Sequence, residues 1–397
     1  MPANKPPFDG EWVRLKGRVE YVRGVTYKAA VDLHEELDRG SYILLRANNI
    51  QDGRLSFDDV QYVDKSKVKP KQLLRKGDIL ICASSGSKSL VGKAALVEND
   101  MPITFGAFCC VLRPKTGESE CLGHYFQSRQ YRKAIERACS GSNINNLKAA
   151  SFESLIVPLY SKTDMLSVVG VLDALVAQKR GTESQLELLD TLVKSRFVEM
   201  FGDPTVEHDG WPYETIGNVC QVITGNTPSR KDEANYGDSI EWCKTDNITD
   251  ARYLTRAAES LSEAGAQRGR IAPAGSVLMA CIAGSIKTIG KVAINDRPVA
   301  FNQQINALIP MDGLGVDYLL WALRLSKDYL CSDVNMQLKG ILNKSALSAK
   351  RFAIPPLALQ QEFADFVAEV DKSRFIVQQK IEKLQTLYDS LAQKYFG

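Results

Sequence analysis

One segment of the sequence comes close to a nucleotide-binding loop. It reads GSKSLVGKA over residues 86–94. In the phosphate loop of nucleotide hydrolases, four residues separate the glycines, and a Ser or Thr that binds Mg²⁺ follows the lysine. Here five residues separate Gly86 from Gly92, and Ala94 follows Lys93. The pattern therefore excludes nucleotide hydrolysis. It leaves two interpretations: a turn whose backbone amides and lysine approach a phosphate, or a plain hairpin.

Other catalytic patterns are also incomplete. An adenine methyltransferase needs an Asn/Asp-Pro-Pro-Tyr/Phe tetrapeptide and a Gly-rich cofactor strand, but the nearest match, NKPPF at residues 4–8, is interrupted by Lys5. Asp78 and Glu98 are the acids nearest to Lys93, and their spacing does not match the Asp, then Glu-x-Lys, pattern of nucleases. We therefore expect no catalytic residues and no cofactor.

Cysteine and histidine spacing gives no metal signature. The nine cysteines are odd in number, form no C-x-x-C pair and mostly lie within apolar runs, and the three histidines are isolated in the sequence. Structural zinc sites and disulfide frameworks both require regular spacing of these residues. We expect buried free thiols and no metal site.

Composition indicates a soluble protein of two or three globular units, with 397 residues of which 44% are hydrophobic and 24% charged. No apolar run reaches the roughly 18 residues of a membrane span, and residues 1–7 lack the apolar stretch of a secretory signal. We expect a cytoplasmic protein without membrane association.

The net charge of +3 is too small to argue for nucleic-acid binding by itself. One local feature is stronger, because residues 65–76 contain six basic side chains and no acid. This basic segment is either a strip that faces phosphates or a solvated loop before a strand.

The sequence repeats itself at an offset of 198 positions. Several separate matches at one offset indicate an internal duplication. The matched pairs are Asn49-Ile50 with Asn247-Ile248, Gly77 with Gly275, Gly92-Lys93 with Gly290-Lys291, and Ile156 with Ile354.

Each copy has about 155 residues of short strand-like runs and Gly-rich turns, then about 40 residues with helical periodicity. The segments 120–139 and 316–330 also have helical patterns. We predict an α+β fold with two similar mixed α/β domains in tandem. The predicted division is residues 1–158, a helix at 159–202, residues 203–356, and a helix at 357–397. The strand candidates are 41–46, 78–83 and 108–112 in the first copy, and 240–244, 276–281 and 304–309 in the second.

The two helical segments have apolar residues in a 4-3 alternation, as in coiled coils. Polar residues interrupt each stripe, and Gly181 lowers local helix stability, so we expect the helices to pair with each other. About 40 residues of helix extend about 60 Å, which would suit a spacer between two heads on duplex DNA. A coiled coil with a purely structural role is the alternative. The stripes are Val168, Leu172, Leu175, Lys179, Thr182, Leu186, Leu189, Val193, Arg196, Met200, and Phe366, Val370, Ser373, Val377, Lys380, Leu384, Leu387, Leu391, Lys394.

Over essentially its whole length the sequence resembles the specificity subunits of type I restriction-modification enzymes. Their helical regions open with an Ile-Pro-x-Pro-like segment before a Gln-rich start, which here reads IPPLALQQE at 354–362 and, in degenerate form, IVPL at 156–159. Their domains often have a Gly-Lys turn followed by Asn-Gln. The second copy has Gly290-Lys291 and Asn302-Gln303, whereas the first has Gly106-Ala107 at the place of Asn-Gln.

The resemblance implies two target-recognition domains and two long helices that pair as an antiparallel coiled coil. Each domain would read one half of a bipartite, asymmetric target in double-stranded DNA. The helices would set the unread gap and dock two methyltransferase subunits. That complex methylates adenine N6 and, with ATP-dependent restriction subunits, cleaves DNA. The chain itself would be non-catalytic. Two alternatives remain: a recognition subunit of a methylation-only defence complex, and a coiled-coil scaffold whose heads bind protein.

Candidate DNA-binding residues cluster at the turns that match between the copies. Reading a base edge needs side chains that combine donors and acceptors, and phosphates attract cations. Asn in a turn can instead be present for its backbone conformation. Since matched positions differ between the copies, we expect the two domains to read different sequences. The candidates are Arg46, Asn48, Asn49, Lys88, Lys93, Asn143, Asn145 and Asn146 in the first copy, and Lys244, Asp246, Asn247, Lys287, Lys291, Gln303, Lys339, Asn343 and Lys344 in the second.

Overall fold

Two units make up the chain in the computed structural model, which describes residues 10–115, 117–139, 146–285, 287–332, 334 and 340–397. The first unit contains the chain up to Glu183 together with Gln379–Gly397, and the second contains Ser184–Gln378. Asn143, Asn145 and Lys339, which the sequence proposes as DNA-binding residues, lie outside the described residues.

A four-stranded antiparallel sheet forms the centre of the first unit, in the order Val19–Arg23, Cys109–Pro114, Ile79–Cys82, Ala94–Leu96. Ile79–Cys82 is buried at every position, as expected for a continuous apolar run with a layer on both sides. The other strands are Gly10–Arg14, Leu33–His34, Ser41–Leu45, Ile50–Gln51, Arg54–Leu55, Gln61–Asp64, Ile103–Phe105 and Ile156–Tyr160, and the shorter α-helices are Ala29–Asp32, Ser119–Tyr125, Arg129–Cys139 and Ala149–Glu153.

A second sheet in this unit has the order Ile103–Phe105, Ser41–Leu45, Gln61–Asp64, Leu33–His34, and its first pair is parallel. Gly10–Arg14 pairs antiparallel with Ile156–Tyr160, so the two ends of the globular part meet where the first long helix begins.

The second unit repeats the central sheet of the first and the parallel strand pair of its second sheet. Its central sheet has the order Cys220–Thr224, Ile305–Pro310, Val277–Ala280, Val292–Ile294. Tyr236–Cys243 pairs in parallel with Val299–Phe301, as Ser41–Leu45 does with Ile103–Phe105. The tandem of two mixed α/β domains is therefore confirmed. The remaining strands are Tyr213–Thr215, Ser260–Leu261, Ile271–Ala272, Ile282–Ala283, Gly340–Ile341 and Arg351–Ala353, and the shorter α-helices are Ile216–Val219, Glu263–Arg268, Val316–Leu325, Lys327–Cys331 and Lys344–Ala349.

Two helices of 40 residues each follow the globular segments: the first long helix, Lys162–Phe201, and the second, Leu357–Phe396. They pair antiparallel within each unit. In the first unit Lys179 Nζ donates to Gln385 Oε1 at 2.7 Å. The hydroxyl of Tyr160, on the strand before the first long helix, donates to the carbonyl of Tyr395 near the end of the second. In the second unit Arg374 contacts Asp190 at 2.5 Å and Arg196 contacts Glu362 at 2.8 Å.

The apolar stripes of the long helices are only part of their buried surface. Val168, Leu172, Val193 and Val370 of the predicted stripes are buried, but Leu387 is 47% exposed. The stripe also misses a group of fully or nearly fully buried aromatic residues, Phe197, Phe201, Phe363 and Phe396. They lie near the helix ends, where the helices pack on the globular part of their unit; Phe197, for example, stacks on Tyr318 with ring centroids 5.5 Å apart. A 4-3 pattern describes helix pairing and does not anticipate this second contact.

Candidate nucleic-acid interface

The first matched turn is a single 3₁₀ turn, Ala47–Asn49, that directly follows a strand of the second sheet. Asn49 is fully buried, and its Oδ1 accepts the backbone N–H of Arg46 at 2.9 Å. Its Nδ2 donates to the carbonyls of Ser56 and Asp58, both at 3.0 Å. The amide of Asn49 thus closes the loop of residues 46–59.

The second unit has the same turn at Thr245–Asn247. Oδ1 of Asn247 accepts the N–H of Lys244 at 2.9 Å, and its Nδ2 donates to Thr255 Oγ1 at 3.3 Å and to the Arg256 carbonyl at 3.1 Å. We call residues 46–59 and 244–257 the first and second reading loops, after the base-reading role that the sequence predicts for their turn residues. The side-chain amides of Asn49 and Asn247 are hydrogen-bonded inside the protein. These two candidates therefore have no exposed amide edge to offer to a base.

The exposed face of the first reading loop is organised by Asp59, which has a positive φ of 55°. Arg46 Nη2 donates to the carbonyl of Asp59 at 2.9 Å and to its Oδ2 at 3.0 Å. Nδ2 of the exposed Asn48 donates to the same Oδ2 at 3.1 Å. Arg46 and Asn48 are therefore held side by side at the surface.

Lys244 takes the place of Arg46 in the second reading loop and has different partners. Its Nζ bonds to Glu259 and lies 5.2 Å from the ring centroid of Trp242. Arg230 also binds Glu259, at 2.8 Å. The hydrogen bond from Lys244, followed by that from Arg230, lowers the pKa of Glu259. Asp246, at the position of Asn48, is exposed.

The second matched feature is the Gly-Lys turn, which closes the hairpin next to the reading loop. Gly92 has a φ of 85° and donates its N–H to the carbonyl of Cys82 at 2.8 Å. Gly290 has a φ of 74° and donates to the carbonyl of Ala280 at 2.8 Å. Both positions require the left-handed conformation that glycine adopts without strain. Each turn therefore closes a hairpin, and its approach to a phosphate stays a prediction.

Several lysines of these turns reach solvent. Lys88 and Lys93 are exposed in the first unit, and Lys287 is exposed in the second. Lys291 is partly buried and pairs with Asp250 at 3.0 Å.

Backbone hydrogen bonds join the reading loop and the Gly-Lys turn in each unit. In the first, Gly106 N–H donates to the carbonyl of Leu45, which precedes Arg46, and the carbonyl of Phe108 accepts from Ala83 and Ser84 at the start of the turn. In the second unit Asn302 donates to Cys243, and Gln304 accepts from Cys281 and Ile282. The segments 106–108 and 302–304 thus bring the candidates of each unit to one end of its sheets.

The remaining candidates lie near this sheet end. Asn146 is exposed and forms a β-bridge with Ser84. Gln303 is exposed and accepts from Thr227 at 2.5 Å. Asn343 caps a helix, since its Oδ1 accepts the N–H of Ala346 at 2.8 Å, and Lys344 is exposed beside it.

The basic segment 65–76 has all six cations exposed. Two of them have protein partners: Lys65 Nζ donates to the Arg39 carbonyl at 2.7 Å, and Lys67 pairs with Asp32 at 3.1 Å. The segment contains two short 3₁₀ turns, Lys65–Lys67 and Pro70–Gln72. It is a solvated surface, and its role toward phosphates stays a prediction.

The sequence did not predict the ion pair that holds the end of the second reading loop against the neighbouring strand. Arg297 binds Glu241 through two hydrogen bonds, of 2.9 and 2.6 Å. Glu241 in turn accepts from Arg256 and from the N–H of Ala257 in the loop. The hydrogen bonds from Arg297 are the main reason that the pKa of Glu241 is lowered to about 2. No local pattern connects partners this far apart in the sequence.

Within the described ranges, no cluster of three or more His, Cys, Asp or Glu is arranged to hold a metal ion. The same ranges contain no helix long and apolar enough to cross a membrane. Seven of the nine cysteines are buried, and all nine are free.

Comparison with known proteins identifies the repeated domain. The model of the type I restriction modification DNA specificity domain matches residues 9–180 and 208–386. The StySPI specificity subunit of Salmonella potsdam is 39% identical over 175 residues, which are 44% of this chain and 37% of that protein. The EcoKI specificity subunit of Escherichia coli K12 is 39% identical over 196 residues, 49% of this chain and 42% of that protein. The matches thus span about two fifths of these relatives.

The fold also has a solved counterpart. A chain from a structural study of complex assembly and conformational transition of the type I R-M system aligns over 99% of both chains with a TM-score of 0.57 and 18% identity. Two family domains that together cover most of the sequence confirm the resemblance drawn from its motifs. The chain therefore belongs to the family of type I restriction modification DNA specificity domains.

Proposed function

We propose that this chain reads a bipartite, asymmetric DNA target and directs adenine-N6 methyltransferase and restriction subunits to it, without catalytic residues of its own. One observation carries the proposal. The two units build the same reading-loop turn around a buried asparagine, yet show different side chains to solvent: Arg46 and Asn48 in one, Lys244 and Asp246 in the other. A repeated scaffold with different exposed polar groups suits the reading of two different half-sites.

Within the proposal, bases are contacted by the exposed side chains at the sheet end. Arg46 is the best candidate for a guanine, because its hydrogen bonds to Asp59 hold the guanidinium at the surface and an arginine can donate to the guanine O6 and N7 acceptors. Asn48, Asp246 and Gln303 offer hydrogen-bonding groups to other base edges. Asn49 and Asn247 hold the loops in place.

Phosphates are contacted by the Gly-Lys turns. Lys88, Lys93 and Lys287 are exposed and can approach the DNA backbone without breaking a buried contact. Such contacts set the position of a protein on DNA and make its affinity depend on salt. Asn146, Lys291, Asn343 and Lys344 flank these turns and are assigned to the same interface.

The long helices are proposed to dock the methyltransferase subunits. Apolar side chains stay exposed along them in both units. A contiguous exposed apolar patch, such as the one lined by Leu166, Val171 and Leu387 in the first unit, supports a further partner. The exposed apolar side chains are Leu166, Val171 and Leu387 in the first unit and Leu188, Leu192, Val198, Phe375 and Ile376 in the second.

The proposed division of labour follows the predicted boundaries: residues 1–158 and 203–356 recognise DNA, and residues 159–202 and 357–397 are the spacer helices. Exchanging residues 1–158 for those of another specificity subunit should change one half-site only. Inserting a heptad after Gln185 should alter the half-site spacing or abolish assembly.

The decisive experiment is to co-express the chain with its methyltransferase and to map N6-methyladenine across the genome by single-molecule sequencing. A bipartite motif that appears only with this chain is expected. The proposal would be contradicted if the complex forms, its methyltransferase is competent with another specificity subunit, and no new methylation appears. If that complex binds DNA weakly and independently of salt, the alternative of a protein-binding scaffold is favoured. Adding restriction subunits and assaying DNA cleavage would distinguish a restriction complex from one that only methylates.

A further inference from the structure

Arg252 links the second reading loop to the second long helix. Its side chain is only 13% exposed. Nη2 lies 2.5 Å from Oδ1 of Asp317, in the first turn of the helix Val316–Leu325, and Nη1 donates to Asp371 on the long helix. A guanidinium with two carboxylate partners fixes both direction and distance, which a single lysine contact does not.

The same part of the loop is held by the backbone as well. Arg324 Nη2 donates to the carbonyl of Ala251 at 2.6 Å, and the carbonyl of Arg252 accepts the N–H of Ile294 at 2.9 Å. The loop is therefore fixed at two places: by Asn247 at the end that carries Lys244 and Asp246, and by Arg252 at the end that faces the long helix.

The first unit contains the matching arginine, 198 positions earlier. Arg54 Nη2 donates to Oε2 of Glu183 on the first long helix at 3.2 Å. The acids do not match, because the counterpart of Asp371 is Asp173, which bonds to His124 at 2.9 Å. A contact between a reading-loop arginine and a long helix is thus present in both copies although the helix residue differs.

We propose that Arg252 and Arg54 are positioning residues for specificity: each fixes its reading loop against a long helix, so that the base-contacting side chains meet only the correct half-site in productive geometry. The inference rests on the proposed function. Two-pronged base contacts fail when the loop shifts by about 1 Å, so a loosened loop accepts near-cognate bases more readily. Arg54 is 35% exposed and has one carboxylate partner on the helix, so its effect is the smaller one.

The test uses the complete complex with methyltransferase subunits and S-adenosylmethionine. Exchange of residues 1–158 first assigns each half-site to a unit. Methylation kcat/KM is then measured on the cognate duplex and on duplexes with one mismatch in either half-site. R252M is expected to reduce discrimination about tenfold in the half-site read by the second unit, the scale of one good base contact, with the other half-site unchanged. R54M is expected to give the mirror result with a smaller loss.

Two further variants serve as controls for the charge of Arg252 and for the loss of an arginine elsewhere in the second unit. R252K retains the charge and should recover part of the discrimination. R268M removes an exposed arginine of the second unit that pairs with Asp232, and should leave both ratios unchanged. If R252M does not fold, D371N weakens the long-helix contact of Arg252, together with the longer contact between Asp371 and Arg374, and leaves Asp317 paired. The same selective loss is expected.

Different outcomes would overturn the role of Arg252 and the proposed function of the chain. Equal loss of rate on all duplexes, or reduced discrimination in both half-sites, would show that Arg252 only stabilises the fold and would overturn the inference. Absence of any sequence-specific methylation by the unmodified complex would instead overturn the proposed function.

Discussion

Lys291 and Asp250 form an ion pair across the second reading loop and the Gly-Lys turn, with Nζ and Oδ1 3.0 Å apart. The Asp250 side chain is 91% exposed, so the pair is solvated and weak. Lys93 occupies the matching position of the first unit. It is exposed, and no ion pair of Lys93 is found among the residues that the structure describes, although Asp52 lines the same cleft. The two lysines therefore differ in how freely their ammonium groups can take a new partner.

This difference predicts unequal effects on DNA affinity. K93A should weaken DNA binding by the assembled complex and reduce the slope of log K against log salt by about 1, since one phosphate contact is lost. K291A should have a smaller effect, because Asp250 already competes for the ammonium group. Fluorescence anisotropy between about 50 and 200 mM salt measures both. Equal slopes for the two variants would count against this assignment.

Neighbouring asparagines in the first reading loop should separate stability from recognition. N49A removes three hydrogen bonds in a fully buried site and should lower the free energy of unfolding by about 1–3 kcal/mol. N48A removes an exposed amide and should leave stability within about 0.5 kcal/mol while altering methylation at one half-site. Urea unfolding and methylation mapping are the two readouts. A stable N49A protein would contradict the role given to its amide.

Asn48 and Asn49 also show which features could be predicted from the sequence and which could not. The 198-residue offset and the turn residues were enough to predict the repeated strands and the matched turns. They could not distinguish Asn49 from Asn48, because a turn favours asparagine for its backbone as well as for its side chain. Burial depends on strands and loops that come later in the chain, and it decides which amide is free.

Ion pairs between residues far apart in the chain could not be predicted from the sequence either, because they too depend on the tertiary fold. Arg252 meets carboxylates 65 and 119 residues away, and no spacing rule links them. The match of Arg54 with Arg252 at the repeat offset was the available signal. It marks the position as shared by the copies but does not name the partners.

Adjacent residues of the first long helix should behave in opposite ways. Phe197 is fully buried against Tyr318, Phe201 and Phe363, and F197A should lower the free energy of unfolding by about 3–5 kcal/mol. Val198 is 55% exposed, so V198A should leave stability nearly unchanged and weaken methyltransferase docking. Thermal unfolding and co-purification with the methyltransferase measure the two effects. Retained docking by V198A together with L192A would argue against these exposed side chains as the partner site.

The ion pair behind the second reading loop predicts a pH dependence of stability. Arg297 lowers the pKa of Glu241 from 4.5 to about 2 in the folded chain. A carboxyl group with a depressed folded-state pKa stabilises the fold fully above its unfolded pKa, and this contribution is lost as pH falls from about 4.5 toward 2. E241Q removes the charge at every pH, so its unfolding free energy should be about 2 kcal/mol below that of the unmodified chain at pH 7.

That difference should shrink below pH 4.5, because protonation of Glu241 progressively gives the unmodified chain the same neutral group. Urea titrations of both proteins at pH 7, 5, 4 and 3 give the difference at each pH and cancel the contributions of all other carboxyl groups. E214Q is the matched control, since the side chain of Glu214 lies at the surface of the same unit, and among the described residues its hydrogen-bond partner is Asn218. Its difference should stay near zero throughout. A difference for E241Q that stays constant down to pH 3 would show that the carboxylate gains nothing from its charge, and the Arg297 contact would then hold the loop by hydrogen bonding alone.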